Sequence, residues 1–424
     1  MKRFATKVVA VVLTVVFVMS LVACSGGEKK TEPAATETKT EPAATETKTE
    51  PAATETKTEP VAIKVGVLAP TTGDVAEYGN AVQNGVVMFF EELNAKGGVN
   101  GKQVELVTYD EEGDPVKAVT GYNSLVDQGV VAIVGDVTTA PTIAVVAESQ
   151  ADGMPMITAS ATNEAVTCQM DGDKVVSVYE NMFRSCFIDP FQGSKMAAFA
   201  VDELGAKTAA VLYNVGSDYS SGCAKAFQET AQEKGLEVVA VESYADGAVD
   251  FQSQLTNIAA KAPDVLFIPD YYSVVALVAQ QAFNAGTKST MLGADGWDSV
   301  MDVVTDPALL EGAYYCSGYS VEDTREAVQT FVKNYEAKFS STPNMFAAQG
   351  YDAAMILAAA LEKADAAGNK AGTEEFRKAV IAAMKATDMD CVTGHVAYNE
   401  YNNPEKSAAI ITIKDGAAKF WGNY

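Results

Sequence analysis

Short apolar runs alternate with amphipathic stretches along most of this chain, and the alternation occurs in two series. Residues 63–68 form an apolar run rich in β-branched side chains. Residues 78–96 then place Val82, Val86, Phe89, Phe90 and Leu93 on one side at a helical period, and Gly97-Gly98 stop them. The spacing goes on to predict strands at 104–109, 130–135 and 155–158, with helices over 115–128 and 141–151. A second series starts with a helix over 192–204. It continues with strands at 208–213, 238–244, 264–269 and 290–293, separated by helices over 220–234, 251–261 and 274–284. Strands without polar alternation, each followed by a helix, predict a parallel sheet covered on both faces. Two such series predict an α/β chain with two doubly wound, Rossmann-like lobes. Three further helices are expected over 326–339, 345–366 and 374–386. A β-hairpin with an edge strand is expected over 392–419, turning at Asn402-Asn403-Pro404. The 364 residues from Val61 onward exceed the usual size of one core, which also argues for two lobes.

Upstream the composition changes twice. Lys2, Arg3 and Lys7 precede a run from Val8 to Ala23 broken only by Thr14 and Ser20, the pattern of a secretory signal peptide over residues 1–23. The run falls short of the ~20 apolar residues of a comfortable membrane span. Residues 24–60 follow, in which TEPAATETK occurs three times, from Thr31, Thr40 and Thr49, and begins again at Thr58. With no side chain larger than Ala among its apolar residues, this segment cannot bury enough surface to offset its ordering entropy, so a disordered spacer is expected. As a flexible coil it would span roughly 30–36 Å.

The formal net charge of −25 argues against nucleic acid, whose binding depends on Lys and Arg neutralising phosphates. No acidic run has calcium-loop spacing. Besides Cys24 there are Cys168, Cys186, Cys223, Cys316 and Cys391, an odd number with no C-x-x-C pair. Cys168–Cys186 is the first disulfide to test, and five buried free thiols are the alternative. The single histidine, His395, leaves no two-His metal site and lacks a G-x-S-x-G partner, so a surface or hydrogen-bonded His is expected. Gly97-Gly98-Val99-Asn100-Gly101-Lys102 lacks the Ser or Thr that a phosphate loop carries after its Lys, and no G-x-G-x-x-G follows the first strand. Neither a metal nor an organic cofactor is called for, and ligand binding is expected in place of catalysis.

In open α/β sheets ligands bind beyond the carboxyl ends of the strands. Four such ends carry polar groups: Gly135-Asp136-Val137-Thr138-Thr139-Ala140-Pro141, Thr158-Ala159-Ser160-Ala161-Thr162, Asp270-Tyr271-Tyr272 and Gly293-Ala294-Asp295-Gly296-Trp297. The first leads into a helix with Pro141 in its opening turn, where free N–H groups and the helix dipole suit an anion. One lobe thus offers amide and hydroxyl donors, and the other a carboxylate and tyrosines. That division suits a zwitterion held between them. Taken singly, each Ser or Thr would serve equally well as a helix cap.

These segments resemble the branched-chain amino-acid (leucine/isoleucine/valine) binding proteins of ABC importers, with the type I periplasmic-binding fold. The stretches that carry the resemblance are KVGVLAPTTGDVAEYGNAVQNGVVMFFEELNAKGGVNGKQVELVTYDEEGDPVKAV, VVAIVGDVTTAPTIAV, PMITASAT and LGADGWDS. Leu21-Val22-Ala23-Cys24 likewise resembles a bacterial lipobox, which implies cleavage before Cys24 and its diacylation. The resemblance implies that Thr139 and Thr162 hold the ligand α-carboxylate. It implies that the Ser160 carbonyl and Asp295 hold the α-ammonium, with Tyr271 beside them. It places Tyr78, Tyr219 and Phe346 around the side-chain pocket, with Trp297 within reach of the cleft. Thr139 stands where relatives carry Ser, and Asp295 where Glu is common; both departures leave the side-chain preference open. Three lobe crossovers are implied near 184–187, 315–318 and 413–415, giving lobe 1 as residues 61–184 and 317–412 and lobe 2 as residues 185–316 and 413–424. The implied function is capture of an aliphatic or mostly apolar amino acid for an ABC permease, by a monomer lipid-anchored at the outer face of the cell membrane. A receptor for another small polar solute (an amide, a urea-like compound, a short peptide) and a ligand sensor for a signalling partner remain the alternatives.

Overall fold

The computed structural model describes residues 62–424. The signal segment, Cys24 and the repeats lie outside the described residues. In chain order the first elements are β1 (Ile63–Ala69), α1 (Ala76–Ala95), β2 (Val104–Asp110), α2 (Pro115–Asp127), β3 (Ala132–Val134), α3 (Thr139–Asp152) and β4 (Met156–Thr158). A hairpin of β5 (Cys168–Asp171) and β6 (Lys174–Val178) and a short β7 (Met182–Arg184) follow. The second series is α4 (Asp189–Asp202), β8 (Thr208–Asn214), α5 (Asp218–Lys234), β9 (Glu237–Tyr244), α6 (Gln252–Lys261), β10 (Val265–Ile268), α7 (Tyr272–Asn284), β11 (Thr290–Gly293), α8 (Val300–Val303) and β12 (Tyr314–Ser317). The chain closes with α9 (Glu326–Phe339), α10 (Met345–Ala366), α11 (Glu374–Lys385), the hairpin β13 (Asp388–Cys391) and β14 (Gly394–Ala397), then β15 (Ala409–Lys414) and β16 (Ala417–Asn423).

Two sheets form. The first has the order β2-β1-β3-β4-β7, all parallel. The second has the order β16-β15-β12-β11-β10-β8-β9, parallel from β9 to β12 and antiparallel at β15 and β16. In each sheet the strand order reverses beside the first strand, between β1 and β3 and between β8 and β10. Those two switch points open crevices at the carboxyl ends of the strands. β3 and β10 are buried along their whole length, as their unbroken apolar sequences require, and β4 and β7 are buried as well although they end in Thr158 and Arg184. Helix starts follow local chemistry. Asp114 accepts hydrogen bonds from the amides of Val116 and Lys117 at 2.8 and 3.0 Å ahead of α2, whose first residue is Pro115. α1 and α10 approach so closely that a Cβ on Gly85 would stand 2.1 Å from the Ala347 carbonyl oxygen.

The structure corrects the chain's last third. The expected hairpin turning at Asn402–Pro404 is two hairpins. One turns at Val392–Thr393 and the other at Asp415-Gly416, whose φ values of 54° and 72° are those of a tight hairpin turn. Asn402, with φ 58°, merely bends the segment that links them. The third crossover does not lie at 413–415. β15 already pairs with β12 from Ala409, because buried Ile410, Ile411 and Ile413 need cover beside that strand. The second crossover likewise starts later than 315, since Tyr315, Cys316 and Ser317 remain hydrogen-bonded within the second sheet. All five described cysteines are buried free thiols, so Cys168 and Cys186 are not bridged. His395 sits exposed on the β13–β14 hairpin, with Nδ1 2.8 Å from Asp390 and Nε2 3.3 Å from Asp388. The glycine-rich 97–102 turn is structural: Val99 bridges to Lys102, whose ammonium pairs with Asp365 of α10.

Candidate ligand-binding site

The elements of both switch points converge on one cluster. Tyr78, on α1, donates from its hydroxyl to the Gly296 carbonyl at 2.5 Å and accepts from the Tyr272 amide at 3.1 Å. Its ring stacks on Phe346 of α10, with centroids 4.0 Å apart, and meets Tyr271 edge-on at 5.7 Å. Tyr219, in the first turn of α5, stacks on Tyr271 at 5.0 Å. The Tyr219 hydroxyl donates to Asp295 Oδ1 at 2.8 Å and accepts from the Gly296 amide at 2.9 Å. Tyr78, Tyr219, Tyr271, Asp295 and Phe346 are thus brought together as one unit.

The donor side lies across from them. Thr139 opens α3, so the first amides of that helix have no partner within it. Thr138, Thr139 and Pro141 line a cavity of ≈ 380 Å³ together with Tyr271 and Asp270. Ser160 Oγ donates to the Val137 carbonyl at 2.7 Å, tying the loop after β4 to the loop after β3. Thr162 is buried beside Asp189; its carbonyl accepts from the Asp189 amide at 3.0 Å. Trp297 is the exception among the expected residues. Its indole is fully buried, donates to the Ile268 carbonyl at 2.7 Å, and lies where a Cβ on Gly293 would approach within 2.2 Å. It wedges the core beneath β11 and does not face the cleft.

Asp295 is 3% exposed, and no cationic side chain forms a salt bridge with it among the described residues. Burial pushes its carboxyl up to about 7. The Tyr219 hydroxyl opposes that shift, and the neighbouring Asp189 adds to it. Burial also pushes Asp189 up to about 7. Arg184, the one buried guanidinium nearby, is turned to backbone: it donates to the Ala161 and Asn163 carbonyls at 2.9 and 2.8 Å. Burial holds the Tyr78, Tyr219 and Tyr271 phenols well above their usual range, so all three are neutral donors at physiological pH. The cluster therefore holds a buried acid with no salt-bridge partner among the described residues, and Tyr271 links it to the amide end of α3, where the Thr139 amide meets its hydroxyl. A buried charge without a partner is costly, and an incoming ammonium removes that cost.

Asp189 and Gln192 were not singled out from sequence. Asp189-Pro190 with Gln192 shortly after resembles an ordinary helix start, and only the fold reveals their second task. Gln192 Oε1 accepts from the Asp295 amide at 2.9 Å, while Asp189 accepts from Asn163 at 2.9 Å.

A prediction follows from the Asp295 carboxyl. Its raised value means that its contribution to stability is fully present below pH 3.8 and is lost as pH rises through about 7. In the ligand-free protein, melting temperature followed by circular dichroism is expected to fall between pH 4 and 8 more steeply for the wild type than for Asp295→Asn. Parallel curves would place the charge elsewhere.

The model of the periplasmic binding proteins matches residues 62–418. The chain is 28% identical over 339 residues to a leucine-, isoleucine-, valine-, threonine- and alanine-binding protein of Pseudomonas aeruginosa, covering 80% of this chain and 86% of that one. Among solved structures it is similar to a leucine-binding protein from Thermotoga maritima, at 30% identity and a TM-score of 0.76, covering 85% of this chain and 98% of that one. The same figures hold for a branched-chain amino acid transporter substrate-binding protein from Streptococcus pneumoniae in complex with isoleucine. With a switch-point crevice in each of two sheets, and with the family model matched along nearly all its described length, this chain belongs to the periplasmic binding protein family.

Proposed function

We infer that this chain is a solute-binding lipoprotein of an ABC importer, and that it captures an α-amino acid with an aliphatic side chain between its two lobes. The observation that carries the reading is the buried Asp295 carboxyl, met by a tyrosine hydroxyl and by no cation among the described residues. In this reading the ligand ammonium pairs with Asp295 and the Ser160 carbonyl. The carboxylate takes the amide end of α3 at Thr139, with Thr162 beside it. Tyr78, Tyr219, Tyr271 and Phe346 cover the side chain. The Tyr78 bond to Gly296 joins α1 to the far lobe, so closing the lobes also strips water from the ion pair and strengthens it. Names of relatives support the ligand class, since they are described as binding Leu, Ile, Val, Thr and Ala.

The Leu21-Val22-Ala23-Cys24 motif and the repeats after it support anchoring through acylated Cys24, with residues 24–60 as the tether. A tethered trap stays near the permease of its own membrane, which favours transport over free secretion.

Calorimetry with L-leucine, L-isoleucine, L-valine, L-threonine and L-alanine is expected to detect binding of at least one. Asp295→Ala should weaken it by more than about 100-fold, because it leaves a desolvated ammonium unpaired. Binding of none of the five, alongside tight binding of an amide or a sugar, contradicts the ligand class; retained affinity in Asp295→Ala contradicts the site. For the anchor, the full chain expressed in a bacterium should fractionate with membranes, and Cys24→Ser should release it. Equal partitioning of the two would overturn lipidation.

A further inference from the structure

The loop from Thr158 to Asn163 carries Ser160 and Thr162, both assigned to the ligand head group, and its carbonyls are almost all held by residues 184–189. The Thr158 carbonyl accepts from the Ser185 amide at 3.0 Å, and the Ala159 carbonyl from Ser185 Oγ at 3.1 Å. The Ala161 carbonyl accepts from Arg184 Nη1 at 2.9 Å, and the Asn163 carbonyl from Arg184 Nη2 at 2.8 Å. Between these two, the Thr162 carbonyl accepts from the Asp189 amide at 3.0 Å. Within this loop only the Ser160 carbonyl meets no donor among the described residues. Arg184 ends β7 in register with Thr158 of β4, so its fork reaches the carbonyls on either side of Thr162. The side chain is fully buried. Its third bond goes to Thr167 Oγ1 at 3.2 Å, its Nε has no acceptor, and it forms no salt bridge among the described residues. Asp189, the buried acid that opens α4, takes Asn163 Nδ2 at 2.9 Å and Gln192 Nε2 at 3.4 Å.

Carbonyls and a hydroxyl satisfy the guanidinium's hydrogen bonds without neutralising it. A buried charge with no counter-charge is costly, and an anion bound nearby lowers that cost. We propose that Arg184 is a positioning residue for the ligand carboxylate. By gripping the carbonyls on either side of Thr162 it turns their negative ends away from the anion seat, and it leaves the Ser160 carbonyl free for the ammonium. Its unmatched charge makes the first lobe favour a carboxylate over a neutral carboxamide. The proposal rests on the reading that Thr139 and Thr162 mark the carboxylate end. It makes the two lobes complementary: one buries a cation without an acid, and the other buries Asp295 without a cation. Arg184 acts through the loop and through its field, with no contact to the ligand. Removing the guanidinium therefore costs a carboxylate more than a carboxamide, whereas a loss of packing alone costs both equally.

The test is calorimetry on the full chain at about pH 6.5, where an α-amino group is protonated. The probes are L-leucine, L-isoleucine, L-valine, L-threonine and L-alanine, each beside its primary amide, with displacement of the amino acid giving the Kd of a weakly bound amide. For each amino acid that binds, the ratio of the amide's Kd to the acid's is expected to fall about tenfold from wild type to Arg184→Gln. Arg184→Lys keeps the charge and loses the fork. It should weaken acid and amide together and hold the ratio within about threefold of wild type. An unchanged ratio in Arg184→Gln, or an equal fall in both variants, overturns the proposal. Arg184→Met takes the place of Arg184→Gln if that variant does not fold. A wild type that binds none of the five amino acids sinks the functional reading and this inference with it, whereas a wild type that binds, with a ratio indifferent to Arg184, sinks the inference alone.

Discussion

A carboxyl that is buried without a cation organises this molecule. No lysine or arginine forms a salt bridge with Asp295 among the described residues, and the buried guanidinium of Arg184 is bound to backbone carbonyls. What reaches Asp295 is the Tyr219 hydroxyl and, through its own amide, Gln192. Once ionised, this carboxyl has no cationic partner among the described residues. Around it stand neutral phenols, the amide end of α3 reached through Tyr271, and a tyrosine of α1 hydrogen-bonded to Gly296 after β11.

The two-sheet architecture supplies the geometry. Each switch point leaves a crevice, and the two crevices place groups of different sign opposite one another. The amide end at α3 comes from the first sheet and Asp295 from the second, so in the proposed reading an α-amino acid is matched at both ends only when the lobes meet. Aromatic stacking of Tyr78 on Phe346 and of Tyr219 on Tyr271 fixes these rings, and the Tyr78 and Tyr219 hydroxyls are already hydrogen-bonded. The lipid anchor and repeat tether, as proposed, would hold this trap close to its permease without any further contact.

Much of this was legible in the residues because the helices and parallel strands are locally consistent: the 326–339 and 345–366 helices have the bounds that their periodicity predicts. The last 30 residues were harder. Asn402-Asn403-Pro404 carries a strong turn signal, while the Asp415-Gly416 turn that forms the final hairpin was passed over. Trp297 shows the limit for side chains. Its place beside Asp295 suggested the cleft, yet Gly293 opens a slot for the indole in the core, and sequence spacing cannot register such a slot.

The central claim is that the ligand supplies the positive charge that Asp295 lacks. The most direct measurement is the number of protons exchanged when L-leucine binds at pH 6, read from the dependence of binding enthalpy on buffer ionisation enthalpy. With the free carboxyl raised to about 7, most molecules hold its proton at that pH, and pairing with an ammonium must expel it. Net release approaching one proton per ligand is predicted. Binding with no proton exchange, or with uptake, would contradict the account.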